Sequence, residues 1–202
     1  MHTNSALLFQ KYAAPYFLEN KRVLEIGPNF PSHYKILSKN VATWDTLDIY
    51  QDPRLTHVAM SEYSFPIADN SYDIVLSGQV IEHVRKIWVW MKEVARVCKI
   101  GGNVITIIPA SWPYHEAPID CWRAYPEGMK ALYEDASLRT IHSSCEALEI
   151  DASKKLPGRS AEWQGRRSRL ANKLFSKIGL PVECAFDTIT IGEKIVSYTK
   201  SH

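Results

Sequence analysis

An apolar run that stops abruptly at a glycine constrains this chain more than any other feature. Val23-Leu24-Glu25-Ile26 gives way to Gly27-Pro28-Asn29-Phe30-Pro31-Ser32, and apolar residues ending in turn formers read as a buried strand that breaks into a loop. Ser32 to Leu37 then has the composition to start a helix. The order is strand, tight loop, helix, with a carboxylate at the strand's end, and that is where an α/β fold binds a ligand. Gly27 lets backbone approach a ligand closely, and a helix start offers unpaired N–H groups. A dinucleotide fingerprint would need G-x-G-x-x-G, which Asn29-Phe30-Pro31-Ser32 does not supply.

A length of 202 residues with 46% hydrophobic composition fits a single α/β domain with a real core. A net charge of +2 makes no strong case for a nucleic acid or other polyanionic partner. Cys98, Cys121, Cys145 and Cys184 are far apart, with no C-x-x-C pair and no metal-ligand spacing. They read as reduced thiols of a cytoplasmic protein. No apolar run approaches a membrane span, and Met1 to Ser5 lacks the basic-then-apolar pattern of a leader.

In chain order, Asn4 to Leu18 is expected as a cover helix capped by Asn4 or Ser5, with Leu7, Leu8, Tyr12 and Phe17 for packing and Pro15 as a kink point. Lys21 to Ile26 is the first strand and Val41 to Leu47 the second. The second strand ends at Asp48, which lies 21 residues beyond Gly27. A carboxylate at that spacing either accepts both hydroxyl protons of a ribose or is a solvated turn acid before Tyr50-Gln51-Asp52-Pro53. Asp69-Asn70-Ser71 is a turn, Asp73 to Ser77 a further buried strand, and Gly78 frees the chain to enter a loop. Ile87, Met91, Val94, Ala95 and Cys98 make one helical stripe, ended by Lys99-Ile100-Gly101-Gly102. Val104 to Ile108 is an unbroken apolar strand buried on both faces.

The succession V-L-E-I-G-P, L-D, F-P-I-A-D-N-S-Y-D-I-V-L-S, I-E-H-V and K-I-G-G across residues 20 to 110 resembles the class I S-adenosylmethionine-dependent methyltransferases. Within them it is most similar to the small family called methyltransferase type 11. The resemblance implies a Rossmann-like α/β fold whose seven-stranded, mostly parallel sheet has the order 3-2-1-4-5-7-6, the last strand antiparallel, with helices on both faces. It also implies that S-adenosylmethionine is the cofactor and S-adenosylhomocysteine the product. By position, Glu25 and the backbone of Gly27, Pro28 and Asn29 would hold the methionine part, Asp48 the ribose and Ile49 the adenine. Ser61 stands where the family often has an adenine-reading aspartate, with Glu62 as a substitute from next door. Ser77 and Gln79 would line the methionine side. The sequence departs from the fuller family pattern at the first loop, which has one glycine instead of three, and at Ser61.

Beyond Pro109, the stretch Ala110 to Tyr125 combines aromatic residues with a histidine, an acid and an arginine. It lies just past the end of the buried strand, where an α/β sheet builds its active site. His115, Pro118, Asp120, Trp122, Arg123, Pro126 and Gly128 resemble an H-x-x-P-x-D-x-W-R-x-x-P-x-G pattern of type 11 enzymes associated with polysaccharide and glycoside pathways. That implies a small polar acceptor, a sugar hydroxyl or a lipid-linked or nucleotide-linked glycan. A hydroxyl has a high pKa, so His115, His83 and Asp120 are candidate bases, with Tyr114, Trp122 and Arg123 binding the acceptor. Asp120 and Arg123 equally read as an ion pair that holds the loop, and His83 as a turn cap. Pro126 suits the first turn of a helix whose buried stripe is Met129, Leu132, Tyr133 and Ala136.

Leu138 to Ile150 and Asp187 to Val196 are expected as the last strands. Residues 151 to 186 between them form a basic insertion, in which 166 to 178 has the pattern of an amphipathic helix. Such a helix packs as a lid or makes a peripheral membrane or phosphate contact. The rival readings are an RNA or protein methyltransferase that uses this insertion, and a non-catalytic S-adenosylmethionine-binding protein.

Overall fold

The computed structural model describes residues 3–38, 41, 43–115, 118–149, 174, 177 and 185–196. The basic insertion at 151–186 and its helix at 166–178 lie outside them, except for residues 174, 177, 185 and 186. Cys184 also lies outside.

The strands are β1 (Arg22–Ile26), β2 (Thr43–Asp48), β3 (His57–Val58), β4 (Tyr72–Gly78), β5 (Cys98–Ser111), β6 (Leu138–Glu146) and β7 (Phe186–Lys194). They form one seven-stranded sheet in the order β3-β2-β1-β4-β5-β7-β6. β1 to β5 pair in parallel, and β7 runs antiparallel to both β5 and β6. The architecture is therefore Rossmann-like, with the order 3-2-1-4-5-7-6.

Side-chain alternation explains how one sheet serves two cores. Leu24, Val75, Val104 and Ile108 face one side, against Trp90, Met91 and Val94 of α3 (Ile87–Val97) and Met129 and Tyr133 of α4 (Pro126–Asp135). Val23, Ile74, Leu76, Ile105 and Ile107 face the other, against Leu8, Phe9 and Phe17 of the N-terminal segment. Successive residues in the middle of these strands are thus buried on opposite faces, which is why the strands read as continuous apolar runs. Tyr133 is fully buried, and its hydroxyl donates to Thr190 O at 3.0 Å and meets Thr106 Oγ1 at 2.9 Å.

Several local expectations give way to tertiary contacts. Instead of one helix over 4–18, the segment is a short α1 (Thr3–Leu8), a π-helical turn at Phe9–Ala13 and a 3₁₀ turn at Ala14–Tyr16, where Pro15 sits. Asn4 and Ser5 are not caps: both are fully buried inside α1 and bond to distant residues. The α3 helix ends at Val97, and Cys98 already belongs to β5. The glycines expected to end the helix lie within β5 instead. Gly101 has φ +76 there, and the pairing with β4 jumps from Tyr72↔Cys98 to Ile74↔Asn103. α2 (His33–Leu37) starts as expected, with Ser32 Oγ accepting from Lys35 N at 3.0 Å. Among the described residues, no helix is long and apolar enough to cross a membrane.

Candidate functional site

A cavity of about 490 Å³ opens at the C-terminal ends of β1, β2 and β4. β1 delivers the chain to Gly27, whose N–H donates to Leu47 O at 2.9 Å and whose φ is +67. A Cβ on Gly27 would stand 2.4 Å from Val80 Cγ2. Only glycine permits both this backbone conformation and this close approach, so Gly27, Pro28 and Asn29 form a backbone wall of the cavity. The Gly27 N–H is committed to Leu47 O and Pro28 has none, so a polar ligand at this wall would meet the main-chain carbonyls and the Asn29 N–H.

Asp48 stands opposite, at the tip of β2. Its Oδ1 accepts from Ile49 N at 2.6 Å and Tyr50 N at 3.1 Å. Among the described residues Oδ2 has no hydrogen-bond partner, so the carboxylate is held rigidly with one oxygen available to a ligand in the cavity. Ile49 also lines the cavity and is 43% exposed, an apolar surface suited to a flat ring.

Other expected cofactor residues divide by position. Glu62 lines the cavity and Ser61 does not; Ser61 is turned into a bridge with Ser64, and its Oγ accepts from Tyr63 N at 3.1 Å. Glu25 points to the other side of the sheet. Its Oε2 accepts from Trp44 Nε1 at 2.8 Å, and burial raises its pKa against the lowering effect of hydrogen bonds from Ser32 and Trp44. Ser77 is buried, outside the cavity lining, with its hydroxyl unpartnered. Gln79 lines the cavity while its side chain turns inward, donating to Ser5 Oγ at 2.9 Å and Asp187 Oδ1 at 3.0 Å. The left-handed residue is Gln79, with φ +61. Gly78 serves packing instead, since a Cβ there would fall 2.1 Å from the Tyr34 hydroxyl oxygen.

The candidate bases differ more sharply. Asp120 has a side chain only 2% exposed, and Arg123 grips both its oxygens at 2.5 and 2.6 Å. The Arg123 hydrogen bonds hold the Asp120 pKa down at about 2, so this carboxylate is a poor proton acceptor. Arg123 also donates to Trp112 O and Pro113 O. The pair staples the loop, and the expected acceptor-binding role of Arg123 meets donors already committed to that loop. Trp122 likewise donates its Nε1–H to Val84 O at 2.8 Å and packs on the core. Tyr114 is 71% exposed on the same loop.

The loop brings His115 to His83, ring edge to ring face at 5.2 Å. His115 is anchored through its backbone, whose N–H donates to Asp120 Oδ2 at 2.9 Å, and its ring lies partly in solvent. His83 lines the cavity, and its Nδ1 bonds Ile119 O. A carbonyl only accepts, so Nδ1 is the donor and the neutral ring keeps its lone pair on Nε2. Of the three candidates, His83 alone both lines the cavity and has a tautomer suited to taking a proton.

Sequence reasoning passed over Glu82, Asp187 and Tyr34. Glu82 is fully buried with neither carboxylate oxygen hydrogen-bonded, and desolvation pushes its pKa up to about 8. Asp187, also fully buried, accepts from Asn4 Nδ2 at 2.9 Å as well as from Gln79. The Tyr34 hydroxyl is buried and unpartnered. The readable signal was a carboxylate at 82 set among Val80, Ile81 and Val84, where an acid is costly to bury.

Residues 33–106 match the methyltransferase domain model of the type 11 family. A 55-residue stretch is 47% identical to an uncharacterized methyltransferase of Mycobacteroides abscessus, covering 27% of this chain and 21% of that protein. The matched stretch thus spans about a fifth of its curated relative. Among solved structures, the chain is similar to one in the complex between the Haloferax volcanii Trm112 methyltransferase activator and its methyltransferase partner. That match has a TM-score of 0.65 and 17% identity, over 96% of this chain and 91% of the other. It is also similar to a SAM-dependent methyltransferase of Archaeoglobus fulgidus, with a TM-score of 0.63 and 17% identity, over 94% and 92% of the two chains. At these identities the structural likeness is one of fold.

Proposed function

We propose that this chain is a class I S-adenosylmethionine-dependent methyltransferase that transfers a methyl group to a small polar acceptor, a hydroxyl of a sugar or glycoconjugate, in the cytoplasm. The observation that carries the reading is the pairing across one cavity of the Gly27 backbone wall with the half-committed Asp48 carboxylate. Gly27, Pro28 and Asn29 would hold the amino-acid end of S-adenosylmethionine, Asp48 its ribose hydroxyls, and Ile49 and Glu62 its adenine. The cofactor supplies an electrophilic methyl group on a positively charged sulfur, and S-adenosylhomocysteine remains after transfer.

The remaining work falls to the chain's own residues. His83 faces the cavity with Nε2 ready to take the acceptor's proton. His115 meets His83 from the loop that the Asp120–Arg123 staple holds, and Tyr114 lies on the same loop. Methyl transfer depends on in-line approach, so positioning by this loop contributes alongside proton removal. The sugar assignment rests on the resemblance of residues 115 to 128 to the glycan-associated pattern and on the aromatic character of Trp112, Tyr114 and Trp122.

Calorimetry with S-adenosylhomocysteine tests the cofactor site. The native chain should bind, and Asp48→Ala should bind about 10- to 100-fold more weakly, as expected for a lost hydrogen bond to a charged group. Equal affinity of the two would remove Asp48 from the site. Product detection by mass spectrometry across sugar, amine, peptide and RNA acceptors then separates the acceptor classes, and binding without any product would mark a non-catalytic cofactor binder.

A further inference from the structure

We propose that Glu82 and His83 form a coupled pair at the cavity's inner wall, in which the charge of the Glu82 carboxyl acts on the imidazole that receives the acceptor's proton. The inference rests on the methyl-transfer reading above and assigns Glu82 a role as a positioning residue, acting only through His83.

Geometry supplies the case. Ile119 O fixes Nδ1 of His83 as a donor, which leaves Nε2 as the one ring atom able to gain or lose a proton. Glu82 Oε1 lies 3.8 Å from that Nε2. Glu82 is fully buried and neither oxygen has a hydrogen-bond partner among the described residues, so its carboxyl stands at ion-pair distance from Nε2 with no hydrogen bond to satisfy it. A buried polar group without a partner is costly. At 3.8 Å the two make an ion-pair contact and not a hydrogen bond, so Glu82 acts on the imidazole through its charge.

The surrounding charges are accounted for. Asp187 on β7 and Asp120 on the loop oppose ionisation of Glu82, while Arg123 favours it. Glu82 in turn acts on the Tyr34 hydroxyl of α2, and His115 meets His83 edge-on. Desolvation outweighs these charges and keeps Glu82 protonated up to about pH 8. While that proton is present, no charge stands beside Nε2. Once it is lost, a carboxylate stands beside Nε2 and stabilises the imidazolium. As the acceptor oxygen attacks, its new bond to the methyl carbon forms while the carbon–sulfur bond breaks. The electron pair of that bond goes to sulfur. The hydroxyl proton passes to Nε2, and its bonding pair stays on oxygen. The pair therefore predicts turnover that rises with pH as Glu82 ionises.

The test begins with the full chain free of cofactor. Imidazole ¹⁵N resonances of His83 are followed from pH 5 to 10 in the native protein and in Glu82→Gln. In the native protein they should show a step centred near 8, reporting Glu82, and in the variant that step should vanish. Superimposable profiles would overturn the pairing. Should Glu82→Gln fail to fold, His83→Gln labelled with ¹³C at Glu side chains reads the Glu82 carboxyl directly. Its midpoint should move when His83 is gone, and an unmoved midpoint overturns the proposal. With an acceptor identified, the limb of kcat that rises near pH 8 should be lost in Glu82→Gln, and a limb that persists there counts against the pair. If no acceptor is ever methylated, the methyl-transfer reading falls, while the resonance titration still decides whether Glu82 and His83 are coupled.

Discussion

At the scale of single residues, the buried acid at position 82 has a thermodynamic consequence that needs no ligand. Its folded pKa of about 8 stands above the ordinary value of 4.5. Between those values the unfolded chain releases a proton that the folded chain keeps, so stability falls as pH rises through this window and is fully present below pH 4.5. The slope from this one group is at most about 1.4 kcal/mol per pH unit. Urea unfolding at pH 5 and pH 8 should show the native protein losing more stability across the interval than Glu82→Gln, in which the group cannot ionise. Equal losses would mean that Glu82 is ionised in the folded state. This residue was only half legible. The motif I-E-H-V directed attention to His83, while the burial of its neighbour depends on β7 and the 112–123 loop, which lie far along the chain. Asp48 was more legible because its position follows from local order: a strand of known start, a turn and a fixed distance from Gly27.

At the scale of elements, the β1 to α2 connection and the loop before α4 each depend on one tight contact. Gly27→Ala must place a side chain in a left-handed backbone conformation and push a methyl group against Val80 Cγ2, which would lie 2.4 Å away. The expected cost is about 1–3 kcal/mol in stability, together with weaker binding of S-adenosylhomocysteine because the cavity wall shifts. Adding Val80→Ala removes the clash and leaves the backbone strain. The double variant should thus recover part of the unfolding midpoint but not all of it, and full recovery would assign the whole effect to the clash. The loop makes the opposite kind of prediction. Because Arg123 holds the Asp120 pKa at about 2, the staple's contribution is present above the ordinary aspartate value of 3.8 and disappears only as pH falls through about 2. Asp120→Asn should therefore lower stability at pH 7, by about 1–3 kcal/mol for a partly buried pair. It should raise KM while leaving the pH dependence of kcat in place. Loss of a pH limb in this variant would restore Asp120 as a base. The sequence left base and ion pair open here, since both need the same residues at the same spacing. Only the fork geometry of Arg123 on both carboxylate oxygens separates them. The helix ends were misjudged for a related reason: glycines at 101 and 102 stop a helix or relax a strand equally well, and the pairing of Cys98 with Tyr72 on β4 decides for the strand.

At the scale of the whole molecule, strand order was readable and closure was not. Each strand announces itself by a local apolar run, and the family resemblance orders them. The N-terminal segment is fastened by contacts whose partners lie more than a hundred residues away. Asn4 is the centre of that fastening: its Nδ2 donates to Asp187 Oδ2 at 2.9 Å and to Glu146 O at 2.8 Å, and its Oδ1 accepts from Leu148 N at 2.7 Å. Nothing in the tripeptide Thr3-Asn4-Ser5 distinguishes this from a helix cap, because a cap and a buried latch use the same short polar side chains. The latch also reaches the cavity, since Gln79 bonds both Ser5 and Asp187 while its backbone lines the cavity. Asn4→Ala therefore removes three hydrogen bonds, to Asp187 on β7, to Glu146 on β6 and from Leu148, while the sheet's ladders and both apolar cores remain. Hydrogen exchange followed by mass spectrometry should show faster exchange in residues 3–16 and at the start of β7, with β4 and β5 still protected. Uniformly faster exchange across all strands would instead make the N-terminal segment part of the sheet's own cooperative unit, and the cavity would then open only with global unfolding.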